Sequence, residues 1–385
     1  MELKVAFLNC RSHGDCAVIT FEDKGEPACI VVDGGEDKNS AQALSDYLKS
    51  QNVTMIDLMV GTHIDSDHIN GLKTFVQSQL KNKKANKPFV GIKEFWGPMP
   101  SEGFVSDLKP TSTANAGVSG AAISWQEFVI QSVEQNDDLF SAVQALGAKI
   151  LHPAVDNKPT VPFTSIKIEL LGPDTQISAD HIKAKALGVL PSSEGAGSIA
   201  TLEDLQNAVT AGFEKLAIEA NRDANNQSIV FRLSPAIGGT KAKEWTFLFT
   251  GDAEEEAWEE MCSNNKIASS LKARVLKVPH HGSALNGITD DGAEKVKPKY
   301  SIISVGQKHG LPDKETLTRI IGTGSKTLCT QRNQAIYKNK KSACYSVKAA
   351  DCPAKDNPDD IIFTLDTDTG NCTMSPKSRA CKHSW

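Results

Sequence analysis

Ile56-Asp57-Leu58-Met59-Val60 runs into Gly61-Thr62-His63-Ile64-Asp65-Ser66-Asp67-His68, and the fold turns on this stretch. The first five residues are a near-continuous apolar run of the kind found in a buried strand. The next eight place His63, Asp65, Asp67 and His68 together at the carboxyl end of that strand, where α/β proteins usually keep their chemistry. Imidazole mixed with carboxylate suits a borderline or hard divalent ion, Zn²⁺ or Mn²⁺, and so short a loop can present alternate ligands to two ions. Such a pair would activate a water. The plainer alternative is a polar turn whose aspartates cap a helix beginning near Asn70.

Working outward, Lys4–Leu8, Ala17–Phe21 and Cys29–Val32 read as strands of a meander that ends at Asp33-Gly34-Gly35. Ser40–Lys49 has helical spacing, with Ala43, Leu44, Tyr47 and Leu48 on one side. Gly71–Leu80 and Trp125–Leu146 read as helices, Phe89–Trp96 and Ile166–Leu171 as strands, and Ser101–Gly120 as a long polar excursion. Thr201–Ala220 is helical by composition, within a helical insertion over roughly 175–224. Regular α/β patterning resumes with Ser228–Leu233, Trp245–Thr250, a helix at Glu254–Met261, and strands at Val275–Val278 and Tyr300–Val305. The end, 335–385, is a Cys-containing region with a hairpin formed by Ile361–Leu365 and Cys372–Met374.

The motifs along this frame resemble the metallo-β-lactamase fold, in the variant found in the hydrolase domain of ComEC competence proteins. They are His63-Ile64-Asp65-Ser66-Asp67-His68 after a strand, Val32-Asp33-Gly34-Gly35 before it, and His13-Gly14-Asp15-Cys16 in the first hairpin. Asn226-Gln227-Ser228, Phe249-Thr250-Gly251-Asp252 and Pro279-His280-His281-Gly282-Ser283 follow in the family's order. The resemblance implies an α/β fold, a four-layer αββα sandwich, on a single domain; it does not account for the 175–224 insertion, which is expected to cover the metal face as a lid. It also implies His63, Asp65, Asp67, His68, Asp252, His280 and His281 as metal ligands, with Asp67, His280 and His281 in catalysis. Asp33, Asn226, Ser228 and Ser283 support them. Asp65 stands where most of the superfamily has a second histidine, which makes the site richer in oxygen and brings Mg²⁺ into consideration beside Zn²⁺ and Mn²⁺.

Two departures weaken the ligand set. Asn226-Gln227-Ser228 occupies the stretch where many members supply another histidine, and His309-Gly310-Leu311-Pro312 replaces the late Gly-His-Pro. The late ligand is then either displaced to His309 or absent. For His13, His152, His181 and His383, surface or satisfied core positions are the better reading. At His280-His281 the side chains of adjacent residues diverge, so at most one faces the metals directly.

The 385 residues carry 39% hydrophobic side chains and a formal net charge of -5, which excludes a mostly disordered, collagen-like or membrane-embedded chain. Met1–Leu8 alternates like a strand and lacks a basic segment followed by an apolar core, so a cytoplasmic location is expected. Nine cysteines at irregular spacing make a poor disulfide framework. The pI near 6.0 argues against broad binding to nucleic-acid backbones, although Lys81–Lys87, Lys272–Lys277 and Lys338–Lys341 are local basic stretches.

Two divalent ions beside one another suit phosphodiester hydrolysis, and the resemblance points to DNA, RNA or a small nucleotide as substrate. No membrane partner is expected. A hydrolase of a lactone, thioester or amide bond, or a non-catalytic metal-binding regulatory module, are the alternatives.

Overall fold

The computed structural model describes residues 1–100, 120–186, 218–334, 336–337, 340–346, 352, 354 and 359–376. Its first half is a strand meander feeding an α/β layer. β1 (Glu2–Phe7), β2 (Ala17–Asp23) and β3 (Glu26–Val32) are antiparallel, and α1 (Lys38–Ser50) carries the chain to β4 (Met55–Val60), parallel to β3. α2 (Ser66–Lys84) leads to β5 (Gly91–Trp96), and α3 (Gly120–Leu146) to β6 (Lys149–Leu151). The second half holds β7 (Ile166–Gly172), α4 (Ala179–Ala186), a helix α5 over 218–226, β8 (Val230–Pro235), the single turn α6 (Thr240–Lys243) and β9 (Phe247–Phe249). α7 (Glu255–Ser263), β10 (Val275–Lys277), α8 (Asp290–Val296), β11 (Tyr300–Ile303), α9 (Lys314–Gly322) and β12 (Lys326–Cys329) complete it. A small ribbon of β13 (Ile336–Tyr337) and β14 (Lys340–Lys341) and the turn α10 (Ala343–Ser346) precede the hairpin β15 (Ile361–Asp366) and β16 (Cys372–Ser375).

Among the described residues the strands form an eight-stranded sheet, β16-β15-β1-β2-β3-β4-β5-β6, and a six-stranded one, β12-β11-β10-β9-β8-β7. Strand alternation explains how they pack. Leu3, Val5 and Phe7 of β1 point inward, where they join Phe231, Phe247 and Phe249 of the second sheet in one core. Phe7 and Phe249 stack at 5.8 Å between ring centroids across the two sheets. The opposite face, with Ala6, Val18 and Val31, packs on Leu44, Leu72 and Val143 of α1, α2 and α3. On the far side, Leu248 and Leu276 pack on Trp258, Ala293 and Leu317 of α7, α8 and α9. Four layers, α, β, β and α, result, as expected of a metallo-β-lactamase-like sandwich.

Three boundaries differ from expectation for local reasons. α2 begins at Ser66 rather than near Asn70, so Asp67 and His68 lie in its first turn. Its N-cap is Asp65, whose side chain makes no capping hydrogen bond, which removes capping as the role of these aspartates. α7 begins at Glu255, with Glu254 as its cap rather than its first residue, and runs on to Ser263. α3 starts at Gly120, ahead of Trp125. Of the insertion, α4 and α5 are described, and both pack on the metal loop: Ile64 is buried among Val129 and Val133 of α3, Ala179 and Ile182 of α4, and Ala220 and Ala224 of α5. Most of Thr201–Ala220, residues 101–119 of the Ser101–Gly120 excursion, Cys381 and His383 lie outside the described residues. The eight described cysteines carry free thiols. Among the described residues no helix is long and apolar enough to cross a membrane.

Candidate metal centre

Backbone hydrogen bonds lock three loops together at the carboxyl ends of β3 and β4. Asp33 N–H donates to Val60 O at 2.8 Å, Gly34 N–H to His68 O at 2.8 Å, and Gly71 N–H to Gly35 O at 2.7 Å. The first hairpin joins them through Asp15 N–H to Asp67 O at 3.2 Å. Two glycines make this approach possible. A Cβ on Gly14, at φ +112°, would fall 2.0 Å from Asp67 O, and one on Gly71 would fall 1.8 Å from Gly34 O.

Into this frame the second sheet brings Asp252, two residues past the β9–loop junction at Thr250, and the His280-His281 pair after β10. Asp67, His68, Asp252 and His281 each offer one ligand atom, all within 4.8 Å of one another. His68 Nε2 lies 3.1 Å from Asp252 Oδ1, and His281 Nε2 lies 2.9 Å from Asp67 Oδ2 and 3.8 Å from Asp252 Oδ2. The His63 ring lies 4.1 Å from that of His68, tilted by 53°, and its Nε2 is 3.9 Å from Asp65 Oδ2. His280 is more peripheral, with Nε2 3.9 Å from Asp252 Oδ2. His280, His281 and Gly282 all have positive φ, 48°, 51° and 84°. This left-handed turn sets the two imidazoles 85° apart and aims only His281 at Asp67.

Each of these groups is held by a neighbour. Asp33 Oδ2 accepts from His68 Nδ1 at 2.9 Å and from Thr62 Oγ1 at 2.9 Å, while Asp33 Oδ1 accepts from Thr62 N–H at 2.8 Å. His281 Nδ1 donates to Ser304 O at 3.1 Å. Asp252 N–H donates to Ser228 Oγ at 3.0 Å, and Asp252 Oδ1 accepts from His280 N–H at 3.0 Å. A carboxylate or carbonyl on one ring nitrogen frees the other to face a cation.

Not every expected residue joins the cluster. Asn226 turns its carbonyl to Glu254 N–H and Ala257 N–H, at 3.1 and 3.4 Å, and so caps α7. Ser283 accepts from Asn286 N–H at 3.4 Å and from Thr316 Oγ1 through its carbonyl at 2.7 Å, which shapes its loop. His309 stands beside His13, with ring centroids 5.0 Å apart, rather than among the four close groups.

Conversely, His13 is no surface or satisfied core residue. Its Nε2 is 3.2 Å from Asp67 Oδ2, and its ring lies 4.3 Å from that of His281. Beneath them Lys277 Nζ meets Asp15 Oδ2 at 2.5 Å, with both side chains 6% exposed, and Asp15 Oδ1 is 3.4 Å from His281 Nδ1. The signal for Lys277 was a lysine inside the apolar run Val275-Leu276-Lys277-Val278, which demands a buried counter-charge. His152 Nδ1 donates to Gly97 O, 2.9 Å away, and is not among the clustered groups.

The electrostatics follow from dense burial. Burial and the neighbouring His68 push His63 down to about 3. Burial, with Asp67 and Asp252 beside it, raises Asp65 well above the usual carboxylate range. Burial would also lift Asp67, but hydrogen bonds from His13 and His281 hold it far below. For His281, burial is outweighed by the Asp15 and Asp252 carboxylates, which raise it to about 10. A divalent cation fits such residues. His63 Nε2 is buried without a hydrogen-bond partner, as is His68 Nε2 apart from its ion pair, and hard carboxylate and borderline imidazole donors converge there.

No protein-family model matches the chain. It is 31% identical over 165 residues to ComE operon protein 3 of Bacillus subtilis (strain 168), a match covering 41% of this chain and 19% of that protein. The chain therefore spans about a fifth of the length of this curated relative. Among solved structures, the metallo-β-lactamase fold protein YhfI from Bacillus subtilis aligns over 86% of this chain and 96% of its own, at 9% identity and a TM-score of 0.42. A long form RNase Z from yeast aligns over 81% of this chain and 39% of its own, at 10% identity and a TM-score of 0.37.

Proposed function

We propose that this protein is a metal-dependent hydrolase, and specifically a phosphodiesterase acting on DNA, RNA or a small nucleotide. The observation that carries this reading is the convergence of Asp67, His68, Asp252 and His281 ligand atoms within 4.8 Å. Asp67, His68, Asp252 and His281, with His63 and Asp65 behind them, would hold two divalent ions, Zn²⁺ or Mn²⁺, with Mg²⁺ as a third choice; His280 and His309 flank them. Such ions supply Lewis acidity, which acidifies water and offsets charge on phosphoryl oxygens.

The chain's own residues do the rest. Asp33 fixes the orientation of His68, and the Ser304 carbonyl fixes that of His281. Asp252 is clamped between Ser228 Oγ and His280 N–H, so that its two oxygens stay spread toward both histidines. His280, at the rim with 23% of its side chain exposed, presents an imidazole to the departing oxygen as proton donor. The insertion over 175–224 acts as the lid, through the contacts of α4 and α5 with Ile64. Metal content together with turnover of bis(p-nitrophenyl) phosphate tests the reading. Bound metal with turnover supports it, and metal-free, inert protein under saturating Mn²⁺ or Zn²⁺ would refute it.

A further inference from the structure

Glu254 is fully buried, yet it does little for the helix it precedes: it is the N-cap of α7, but its side chain makes no capping hydrogen bond. Its carboxylate turns to α5 instead. Glu254 Oε1 accepts from Asn225 Nδ2 at 2.7 Å, and Glu254 Oε2 accepts from Arg222 Nε at 3.2 Å. A buried carboxylate is tolerated only with partners of this kind, and its two oxygens keep lone pairs for more. α5 is a firm anchor for it. Ala220 and Ala224 pack on Ile64 of the metal loop, and just past α5 the Ile229 N–H donates to Thr62 O at 2.8 Å.

On the other side of the carboxylate stands His280. Its Nδ1 is buried without a hydrogen-bond partner among the described residues and lies 3.8 Å from Glu254 Oε1, while its Nε2 looks toward the cluster, 3.9 Å from Asp252 Oδ2. The His280 backbone is already fixed, by its N–H on Asp252 Oδ1 at 3.0 Å and by its left-handed φ of 48°. Rotation of the side chain is the freedom that remains, and an acceptor on Nδ1 removes it. A separation of 3.8 Å is longer than a hydrogen bond. Catalytic hydrogen bonds are often long in an unliganded protein and tighten around the reacting group.

We propose that Glu254 is the positioning residue for His280: it accepts a hydrogen bond from Nδ1 and so aims the proton on Nε2 at the departing oxygen. That proton passes from Nε2 to the oxygen as the oxygen's bond to phosphorus breaks, Nδ1 keeps its own proton, and solvent water later restores the one on Nε2. The proposal rests on the phosphodiesterase reading for the reaction, but the contact itself is measurable without turnover. The insertion then does more than cover the metals, since Arg222 and Asn225 of α5 hold the group that aims the proton donor.

Two readouts on the full Zn²⁺-loaded chain test it. In ¹H–¹⁵N spectra of histidine-labelled protein, His280, assigned by its loss from His280→Ala, should show a slowly exchanging Nδ1–H resonance that disappears in Glu254→Met. In kinetics, thymidylyl-(3′→5′)-thymidine releases an alkoxide that needs a proton, whereas thymidine 5′-(p-nitrophenyl phosphate) releases p-nitrophenolate, which does not. Glu254→Met should lower kcat about 10-fold more on the first than on the second, a part of what a general acid supplies, with KM little moved. In a His280→Ala background the same substitution should add no selective loss. Should Glu254→Met fail to fold by circular dichroism, Glu254→Gln, which keeps the shape and loses the charge, carries both readouts with a smaller effect. A wild type without the Nδ1–H resonance, equal losses on the two diesters as a merely structural role would give, or a further selective loss in the His280→Ala background would overturn the proposal. A Glu254-dependent resonance with no turnover of either diester would remove the phosphodiesterase reading alone. Turnover of both diesters without the resonance would remove the positioning role alone.

Discussion

Lys277 Nζ and Asp15 Oδ2 meet 2.5 Å apart beneath the metal cluster, in a pocket where neither side chain is more than 6% exposed. The pair joins β10 of one sheet to the first hairpin of the other, and Asp15 passes its second oxygen to His281. Breaking one partner of a buried pair leaves the other charge uncompensated, so Lys277→Met should destabilise the fold by about 3–5 kcal/mol in urea melts. The double variant Asp15→Asn, Lys277→Met should recover part of that loss. A single variant as stable as wild type would show the pair to be unimportant.

Asp33 holds His68 by one oxygen and the Thr62 backbone by the other. Partners of this kind typically tune metal affinity by about 10- to 100-fold. Asp33→Asn should therefore weaken Mn²⁺ or Zn²⁺ binding by roughly that factor in competition titrations with a chelating dye. Undiminished affinity would mean that His68 is oriented by packing alone.

Gly71 leaves no room for a methyl group, since its Cβ would fall 1.8 Å from Gly34 O. Gly71→Ala must push α2 away from the Asp33–Gly35 turn, and overpacking of this kind costs about 1–3 kcal/mol. The thermal midpoint should drop and metal affinity fall with it, because α2 carries Asp67 and His68 in its first turn. Gly322→Ala, where a Cβ meets nothing within 4 Å, is the control and should leave both unchanged.

Glu169 offers a test of pH dependence away from the metal cluster. Burial would raise its carboxyl, but hydrogen bonds from Ser270 and Arg232, both at 2.7 Å, bring it from 4.5 down to about 2. A carboxyl depressed in the folded state stabilises the fold above its unfolded value, and that stabilisation disappears as pH falls toward the folded one. Glu169→Gln should accordingly cost stability at pH 6 and progressively less between pH 4.5 and about 2. A cost that stays constant across that window would rule out the ionic contribution.

How much of this was legible from residues alone depends on the range of the interaction involved. Ile56–Val60 announces β4 because a buried strand needs only its own apolar run, and the density of ligands in His63–His68 marks the loop after it. The start of α2 was obscured because Asp67 and His68 serve both as loop chemistry and as a helical first turn. His13 was misplaced, since a lone imidazole in a polar turn gives no sign that the turn folds under Asp67. Asp15 and Lys277 become partners only when the two sheets close on one another. The left-handed φ of His280 and His281 is equally invisible, because neither is glycine. Asn226 reads as support for the metals, yet the nearer orphan N–H groups of α7 claim its side chain.

The central claim is tested most directly by cleavage of labelled DNA and a panel of nucleotide diesters. Metal-stripped protein would be refilled separately with Mn²⁺, Zn²⁺ and Mg²⁺, beside Asp67→Ala. The account predicts cleavage that requires added metal and falls to background in Asp67→Ala while that variant keeps its wild-type circular dichroism. Metal bound at the site with no cleavage anywhere in the panel, or cleavage undiminished in Asp67→Ala, would contradict it.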